Sequence, residues 1–291
     1  MKTVVITGAT SGIGFATAEE MGARDWNVIG IGRLPEHCEK AKMEIKSFYP
    51  KTRIKYFVAD LSEQSEVNRV ADEVIAYIDA KCGGKIDLLV NNAGCVRDWY
   101  IATGDGYETQ FAVNHLAAFL LTYRFLRKLQ ISPTGRVLTV SSGSHYNTSI
   151  NWNDIMYQKH YNCLMAYKQS KLCNVLFTHE FNRRMTDSNV RAFAVDPGLV
   201  NTDIGLKGTG GIVAYLWALR KKHGLSPYQA ASTIIYLSKM PAGFEPGSAY
   251  FKNCSSAKPS RQSMDESNGH RLWELSEKLC GIDYASGGIM L

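Results

Sequence analysis

The sequence contains no long apolar run and no closely spaced cysteines. None of its apolar stretches approaches the ~18 residues that a membrane-spanning helix needs, and the chain passes from Met1-Lys2-Thr3 directly into a predicted strand, so we expect neither an integral membrane segment nor a signal peptide. Its seven cysteines lie far apart, with no C-x-x-C pair. This disfavours a disulfide framework and a zinc site, so we expect no bound metal and a reduced, cytoplasmic location.

Charge of one sign is also scarce. The chain has 33 Lys and Arg against 27 Asp and Glu, a net charge of +6. These basic residues form no stripe or long run, so we expect no nucleic-acid partner. The densest group, Arg220-Lys221-Lys222-His223, is typical of a solvated helix face. With 45% hydrophobic and 21% charged residues over 291 positions, the chain has ordinary globular composition and suits one α/β domain.

Short β-branched runs alternate with helical patterns along most of the chain. We predict strands at 4–6, 27–31, 54–58, 86–90, 137–140 and 191–195. We predict helices at 13–23, 35–48, 62–80 with Ser62 as the N-cap, 107–130 and 161–185. This alternation predicts the α/β class: one Rossmann-type, doubly wound parallel sheet with helices on both faces. No linker or repeat interrupts the pattern, so we assign 1–284 to one domain and 285–291 to a disordered tail.

A glycine-rich turn joins the first predicted strand to the first helix. Its candidate cofactor-binding residues are Gly8, Thr10, Ser11, Gly12, Ile13 and Gly14. Glycines permit a tight turn and a close backbone approach, and the following helix N-terminus offers free N–H groups to a pyrophosphate. The spacing is G-x-x-x-G-x-G rather than the generic G-x-G-x-x-G, and glycine-rich turns are common structural features. Its position inside a β-α-β unit favours dinucleotide binding.

The end of the second predicted strand bears on the choice of cofactor. An NAD site uses a carboxylate there for the ribose 2′-hydroxyl, whereas NADP needs a cation for the 2′-phosphate. Here Arg33 follows the strand and no acid precedes Glu36. The guanidinium can fork onto a phosphate, so we expect NADP(H), although a solvated surface arginine is the alternative.

Tyr167 and Lys171 form a possible acid/base pair. Their i, i+4 spacing places them on one face of a helix. A free tyrosine, with a pKa of about 10, is a poor base at neutral pH, and a cation one turn away stabilises the phenolate. The Y-x-x-x-K pattern alone is weak, because it occurs by chance in many helices.

The pattern recurs here with other motifs in a fixed order. They are Thr7-Gly8-x-x-x-Gly12-Ile13-Gly14, Asp60-Leu61, Asn91-Asn92-Ala93-Gly94, Asn114, Ser141-Ser142, Tyr167-x-x-x-Lys171 and Pro197-Gly198. Over roughly residues 2–280 the chain resembles the short-chain dehydrogenase/reductase family. Around Tyr167 to Leu176, Pro197 to Thr202 and Leu272 to Ser276 it is most similar to the branch of retinol dehydrogenases and protochlorophyllide reductases.

The resemblance implies catalytic roles for four residues. Tyr167 would exchange a proton with the substrate oxygen while hydride moves to or from the nicotinamide, and Ser142 would orient that oxygen. Lys171 would lower the pKa of the tyrosine and bind the nicotinamide ribose. Asn114 would hold a water that links Lys171 to solvent. Ser141 is a second candidate for the serine role, although the family pattern favours Ser142.

The resemblance also implies further cofactor contacts. These are Asp60 with Leu61 at the adenine, Asn91, Ala93 and Gly94 along the adenosine ribose, and Pro197, Gly198, Val200 and Thr202 towards the carboxamide. Each residue has a structural alternative: Asp60 can cap a helix, Asn91 can belong to a polar turn, and Pro197-Gly198 can be a plain turn. The ordered set favours the functional interpretation.

Two departures separate the chain from members of this branch. Leu199 stands where protochlorophyllide reductases carry a cysteine, which disfavours light-driven ring reduction. The motif before Gly12 lacks the extra basic residue of some NADP-preferring members, so the preference for NADP can be incomplete.

Two apolar segments predict the substrate pocket. The stretch between Ser142 and Tyr167 is longer than in the shortest family members and contains aromatic residues and histidines. Such an insertion lies at the mouth of the cleft beyond the carboxyl ends of the strands, where ligands bind in open α/β sheets. We take His145 and Trp152 as candidate substrate contacts, although a histidine beside a serine is more often a satisfied loop residue. The apolar, glycine-rich stretch at 203–225, which includes Trp217, is consistent with a mobile lid or with ordinary helix packing.

The sequence therefore predicts an NADP(H)-dependent oxidoreductase that interconverts a ketone or aldehyde and an alcohol on a bulky lipophilic substrate, similar to hydroxysteroid or retinol dehydrogenases. The alternatives are reduction of an activated C=C bond and a non-catalytic dinucleotide sensor. The oligomeric state stays open: long exposed helices of this fold can pair into a homodimer, whereas the stretch before Tyr167 can block one such face.

Overall fold

The strands form one continuous sheet in the structure, a computed structural model that describes residues 1–201 and 224–285. Their order is β3-β2-β1-β4-β5-β6-β7-β8, and every neighbouring pair is parallel except β7 and β8. The strands are β1 (Thr3–Thr7), β2 (Asn27–Gly32), β3 (Ile54–Val58), β4 (Leu88–Asn91), β5 (Arg136–Val140), β6 (Arg191–Asp196), β7 (Tyr250–Lys252) and β8 (Ser255–Ser256). The order reverses between β1 and β4, which opens a crevice at the carboxyl ends of these strands.

Helices connect the strands and cover the sheet. They are α1 (Gly12–Gly22), α2 (Pro35–Phe48), α3 (Gln64–Lys81), α4 (Thr109–Phe111), α5 (Ala117–Ile131), α6 (Cys163–Arg184), α7 (Pro227–Ser238) and α8 (Glu266–Cys280). A π-helical turn, Ala112–Leu116, joins α4 to α5, and short 3₁₀ turns occupy Gly143–His145 and Arg261–Met264. Within the described residues, no helix is both long enough and apolar enough to cross a bilayer.

Buried apolar side chains form two large layers, one on each face of the sheet. One layer joins β1 and β4 to α3, α5 and α6, and its aromatic centre is Phe119, Phe177 and Trp273. The other joins the opposite face to α1, α2 and α7. Because both faces are covered, the strands are apolar runs without alternation, as the first strand Thr3–Thr7 illustrates with every residue buried.

The predicted α/β class and the doubly wound parallel sheet are confirmed. The third strand at 54–58 and the helix at 35–48 match their predicted bounds. The prediction of six strands is incomplete, because β7 and β8 extend the sheet beyond β6. These strands contain only three and two residues, between loops rich in glycine and serine, which leaves no periodic signal.

The predicted N-cap Ser62 is wrong. The third helix begins at Gln64, and its first free N–H is capped from elsewhere in the chain: Gln64 N donates to the Asp105 carboxylate at 2.7 Å. Ser62 instead donates its main-chain N–H and its hydroxyl to Asp60 Oδ1. The helix predicted at 107–130 is interrupted by the π turn at Ala112–Leu116. Of the predicted tail at 285–291, only Ala285 is described.

The last helix is tied to the loop that follows β4. The carbonyl of Leu279 accepts a hydrogen bond from the Tyr107 hydroxyl at 2.8 Å and another from the Gln64 side-chain amide at 3.1 Å. The carboxyl end of α8 therefore supports the loop 95–107 and the start of α3, which both border the crevice.

Candidate active site

A cleft of about 1330 Å³ lies at the carboxyl ends of the strands. Its walls come from the turn after β1, the end of β2, the loops after β3, β4 and β6, and the first turns of α6. Most of the sequence-predicted site residues line it: Gly8, Thr10, Ser11, Gly12, Ile13, Arg33, Asp60, Leu61, Ala93, Gly94, Ser142, Tyr167, Lys171, Pro197, Gly198 and Val200. The motifs that are far apart in the sequence thus meet at one crevice.

The turn after β1 shows why glycine is required there. Gly8 and Gly12 have φ angles of +64° and +55°, in the left-handed region that other residues rarely adopt. Gly14 sits in the first turn of α1, where a Cβ would lie 2.8 Å from the Gly8 carbonyl carbon and 2.5 Å from Asn92 Nδ2. The helix N-terminus can therefore approach the turn closely. The N-cap residue of the helix is Ser11, and its side chain does not cap the N–H groups of the first helical turn. The first N–H groups of α1 fit an anionic ligand.

Asn92 holds this turn to the neighbouring strand. Its side-chain amide donates to the Thr7 carbonyl at 2.8 Å and to the Gly8 carbonyl at 3.4 Å, and its main-chain N–H donates to the Thr7 hydroxyl at 2.9 Å. The two strands that flank the crevice are therefore fixed at its mouth. Sequence analysis assigned no role to Asn92, although its place directly after β4 was a usable signal.

Tyr167 and Lys171 lie one turn apart on α6 and both are buried, with 9% and 3% of their surfaces exposed. The Lys171 ammonium is 5.7 Å from the centre of the Tyr167 ring and donates to the Val140 carbonyl at 3.0 Å. Burial raises the pKa of Tyr167 to about 12, against the lowering effect of a hydrogen bond with Ser142. Burial also lowers the pKa of Lys171 to about 8. Burial thus outweighs the expected lowering of the tyrosine pKa.

The two candidate serines occupy different environments. Both serines line the cleft, and Ser142 forms a side-chain hydrogen bond with Tyr167. Ser141 is 1% exposed, and its hydroxyl donates to the Lys171 carbonyl at 2.8 Å. The Ser142 hydroxyl is therefore the one hydrogen-bonded to Tyr167, whereas the Ser141 hydroxyl connects the end of β5 to α6.

Asn114 lies behind the cleft, in the π-helical turn. Its side-chain oxygen accepts from Cys95 N at 2.7 Å, and its amide donates to the Cys95 carbonyl at 3.1 Å and to the Ser170 hydroxyl at 2.9 Å. A Cβ on Gly94 would lie 3.2 Å from Asn114 Oδ1 and 3.5 Å from Lys171 Nζ. A side chain at position 94 would therefore crowd Asn114 and the Lys171 ammonium at the wall of the cleft.

The Asn91 side chain does not reach the cleft. Its amide donates to the Thr122 hydroxyl at 3.0 Å and to the Ala118 carbonyl at 3.4 Å, both on α5. The expected contact with the adenosine ribose is therefore corrected for this side chain, which joins β4 to α5. Gly14 is likewise outside the cleft lining and acts through the close packing of α1.

The two candidate substrate contacts in the stretch before Tyr167 are corrected. His145 is fully buried and uses both ring nitrogens within the protein, towards the Ser142 carbonyl and Ser260 N. Trp152 donates its indole N–H to Asn268 Oδ1 at 2.8 Å and lies under the Arg271 guanidinium, 4.2 Å away. Neither side chain lines the cleft in the described part of the chain.

Three expectations lie mainly outside the described residues. Thr202 and Trp217 lie outside the described residues, and of the predicted lid at 203–225 only Gly224 and Leu225 are described. Leu225 forms a parallel bridge with Val200, on the border of the cleft.

Several residues of the cleft were not among the sequence candidates. They are His37, Cys95, Arg97, Leu164, Met165, Asp196 and Leu199. Asp196 closes β6 and accepts from the Tyr250 hydroxyl at 2.9 Å and from Gly198 N at 2.9 Å, so it fixes the Pro197-Gly198 turn. Its position at the end of a parallel strand was a usable signal.

Residues 2–208 match the family model described as short chain dehydrogenase, and the chain belongs to that family. It is 36% identical over 284 residues to "Retinol dehydrogenase 12" of Mus musculus, covering 97% of this chain and 87% of that protein. It is 35% identical over 295 residues to "Retinol dehydrogenase 13" of Homo sapiens, covering 98% and 86% of the two chains. The protein is therefore an oxidoreductase of the retinol dehydrogenase branch, as the resemblance implied.

Solved structures agree with the fold. An uncharacterized protein from Mycobacterium paratuberculosis matches with a TM-score of 0.74 and 31% identity, covering 98% of this chain and 95% of that one. An alcohol dehydrogenase from the archaeon Thermococcus sibiricus, complexed with 5-hydroxy-NADP, matches with a TM-score of 0.66 and 21% identity, covering 89% and 99%. The second likeness supports the fold alone.

Proposed function

We propose that this protein is an NADP(H)-dependent oxidoreductase that interconverts a ketone or aldehyde and an alcohol on a bulky lipophilic substrate, steroid- or retinoid-like. The observation that carries this proposal is the meeting of Ser142, Tyr167 and Lys171 on one wall of a cleft whose other end is the glycine-rich turn. A chain that only sensed a dinucleotide would not need a hydroxyl, a phenol and an ammonium grouped there.

The turn after β1 and Gly94 fit a dinucleotide. In both places a Cβ would fill the space. A side chain at Gly8 would crowd Ala93, one at Gly14 would crowd Asn92, and one at Gly94 would crowd Asn114. The pyrophosphate would rest on the N–H groups at the start of α1. When bound, the nicotinamide supplies or accepts the hydride.

In the proposed mechanism, three side chains serve the substrate oxygen. Ser142 donates a hydrogen bond that orients it, and Tyr167 gives it a proton during reduction or takes one during oxidation. With its raised pKa the Tyr167 phenol is protonated at neutral pH, which is the state that carbonyl reduction requires. Lys171, one turn away, stabilises the phenolate that remains after proton transfer. Asn114 holds the adjacent loop after β4 by accepting a hydrogen bond from Cys95 N.

The preference for NADP rests on Arg33. It follows β2, is exposed, and lines the cleft together with His37. A guanidinium at this position suits the ribose 2′-phosphate. Structures of related folds bound to 5-hydroxy-NADP and NADP are consistent with the same choice in those proteins.

The lipophilic substrate is supported by the rim of the cleft. Leu164, Met165 and Leu199 line it beside the proposed reaction centre, and Leu164 and Leu199 are exposed. Exposed apolar side chains around a cavity favour an apolar ligand. The curated relatives are named for retinol, which is consistent with this substrate class.

The test is NADPH oxidation, followed at 340 nm, against retinal, steroid ketones, quinones and simple aldehydes, with Tyr167→Phe in parallel. We expect turnover of a lipophilic carbonyl that the variant loses, with an alcohol as product. A product that retains its carbonyl and loses a C=C bond would overturn the reaction type. Preference for small polar substrates such as sugars would overturn the substrate class, and tight NADPH binding without turnover would favour a sensor.

Two further parts of the proposal concern the setting of the enzyme. All seven cysteines are free thiols, five of them buried, which supports a reducing, cytoplasmic location. The assignment of 1–284 to one domain and a homodimeric state also stay predictions. Fractionation of the native source and sedimentation of the purified protein test them.

A further inference from the structure

His145 connects the candidate serine to a distant part of the chain. It closes the 3₁₀ turn Gly143–His145, whose N-cap is Ser142. Its Nδ1 lies 2.8 Å from the Ser142 carbonyl oxygen, and its Nε2 lies 3.0 Å from Ser260 N. The imidazole therefore bridges the main chain of Ser142 and a segment 115 positions away, without touching the cleft.

These two contacts fix the protonation of the ring. The main-chain N–H of Ser260 can only donate, so Nε2 must be the unprotonated nitrogen that accepts. The Ser142 carbonyl can only accept, so Nδ1 must carry the hydrogen and donate. Both bonds can form together only when the imidazole is neutral and protonated at Nδ1.

The surroundings hold the ring in place and contain several titratable groups. The ring packs against Tyr146 and Tyr250, with centroids 4.2 and 5.0 Å away. Tyr250 in turn donates to Asp196, which faces His145 together with Lys252 of β7 and His179 of α6. The pKa of His145 is lowered, mainly by burial and to a smaller extent by the charge of Lys252. The hydrogen bond with the Ser142 main chain and the charge of Asp196 raise it by less.

We propose that His145 is a positioning residue: its neutral, Nδ1-protonated ring holds the main chain of Ser142 so that the Ser142 hydroxyl meets Tyr167 and the substrate oxygen. This proposal rests on the proposed function of Ser142. When the ring gains a proton, Nε2–H points at the N–H of Ser260, and two donors face each other across 3.0 Å. This repulsion displaces the ring and breaks its bond to the Ser142 carbonyl as well, so Ser142 loses its fixed position while the cofactor site after β1 remains intact.

Two amide variants separate the two bonds. In His145→Asn, the amide nitrogen falls near the position of Nδ1, so donation to the Ser142 carbonyl is retained and the contact with Ser260 is lost. In His145→Gln, the longer amide reaches towards Ser260, so acceptance is retained and the donor to Ser142 is lost. We expect kcat for carbonyl reduction to stay within about threefold of wild type in the first variant and to fall about tenfold in the second. The KM for NADPH should not change in either.

The pH profile distinguishes positioning from a general structural role. In wild type, kcat should decline as the pH falls below the ordinary histidine value of 6.5, because protonation breaks the bridge. In His145→Asn this acidic decline should be absent, since an amide does not titrate. His179→Asn, a matched change at a neighbouring half-buried histidine on α6, should keep it. Equal kcat values for the Asn and Gln variants, or an acidic decline retained in His145→Asn, would overturn the proposal.

An activity-independent measurement keeps this inference separate from the proposed function. In ¹⁵N-labelled wild type without cofactor, we expect the Nδ1–H tautomer at His145 and a joint shift of the Ser142 and Ser260 amide signals as the ring titrates. An Nε2–H tautomer would overturn the proposal whether or not any carbonyl is turned over. Lack of turnover by wild type, with the expected tautomer and joint shift, would instead count against the proposed function and leave the bridge supported.

Discussion

The Lys171 ammonium lies 5.7 Å from the centre of the Tyr167 ring, one turn further along α6. Burial moves their pKa values apart, to about 12 for the phenol and about 8 for the ammonium. The phenol is therefore protonated at neutral pH, and the cation beside it loses its charge at mildly alkaline pH. At neutral pH the phenol and the ammonium therefore both carry the protons that reduction of a carbonyl requires.

This relationship predicts opposite pH dependences for the two directions of the reaction. Oxidation of an alcohol needs the Tyr167 phenolate beside the charged Lys171, so its kcat/KM should rise from pH 7 and level off above about pH 8. Reduction needs the phenol and the charged Lys171, so its kcat/KM should fall above about pH 8, where the ammonium deprotonates. Lys171→Met should abolish that fall and slow both directions. A reduction rate that rises between pH 7 and 9 would contradict the assignment.

Ser142 and Ser141 offer a matched pair of substitutions. We expect Ser142→Ala to lower kcat about 10²- to 10³-fold, because the hydrogen bond to the substrate oxygen strengthens as charge develops. Ser141→Ala removes a buried hydrogen bond to the Lys171 carbonyl and should cost about 1 kcal/mol of stability with a much smaller effect on kcat. Steady-state kinetics and urea unfolding measure both; equal losses of kcat would refute the distinction.

Arg33 predicts the strength of the cofactor preference. Removal of a charge-assisted hydrogen bond to a phosphate should lower kcat/KM for NADPH about 10- to 100-fold in Arg33→Ala and leave NADH almost unchanged. Arg24→Ala is the matched control, since Arg24 is an exposed arginine paired with Glu20 on α1. A wild type that prefers NADH, with no response to Arg33→Ala, would show that the 2′-phosphate is not recognised here.

Gly14 tests the close packing beneath the turn after β1. A methyl group at this position would be 2.5 Å from Asn92 Nδ2 and 2.8 Å from the Gly8 carbonyl carbon. We expect Gly14→Ala to destabilise the fold by about 1–3 kcal/mol and to weaken NADPH binding. Gly247→Ala should change neither, because no atom lies within 4 Å of its added Cβ. Thermal unfolding and fluorescence titration with NADPH compare the two, and equal behaviour would exclude the packing argument.

Buried histidines predict a loss of stability in acid. Burial lowers the pKa of His115 to about 4 and also lowers the pKa of His145 and of His179. Below pH 6.5 the unfolded chain binds protons that the folded chain does not, so the free energy of unfolding should fall as the pH falls. Each histidine contributes up to about 1.4 kcal/mol per pH unit. The urea midpoint between pH 7.5 and 5 measures the trend.

His160→Gln is the control for this last prediction. His160 is exposed, so its removal should leave the slope unchanged, whereas His115→Gln should reduce it. A midpoint that rises as the pH falls from 7.5 to 5 would contradict the buried, neutral state of these histidines. Burial raises the pKa of Glu108, so this group makes the free energy of unfolding rise as the pH falls. It is one group against three histidines, and the net trend follows the histidines.

The fold could be predicted from the sequence because its signals are local. Each strand up to β6 is a buried apolar run followed by a helical pattern, and consecutive units leave little choice of topology. The cleft residues Asp60, Ala93 and Ser142 were predicted from the resemblance to the family, and each of them follows a strand of one parallel sheet. Glycine spacing and the Tyr167 to Lys171 interval are also local patterns.

Three of the failed predictions depend on partners far away in the chain. The third helix is capped by Asp105, 41 positions from Gln64, and so Ser62 is not needed. His145 and Trp152 are bound by Ser260 and Asn268, 115 and 116 positions away, which turns both from the cleft. Proximity to Tyr167 in sequence says nothing about such contacts. Asn91 was misplaced because two adjacent asparagines at a strand end must face different neighbours.

The double hydrogen bond to the Leu279 carbonyl has a consequence for biosynthesis. Tyr107 and Gln64, which support one border of the cleft, find this acceptor only after the chain has been translated to residue 279. Strands β1 to β6 can assemble earlier, since their pairings lie within the first 196 residues. A ribosome-bound nascent chain would therefore carry a formed sheet with an unfinished crevice, and binding competence would arise last.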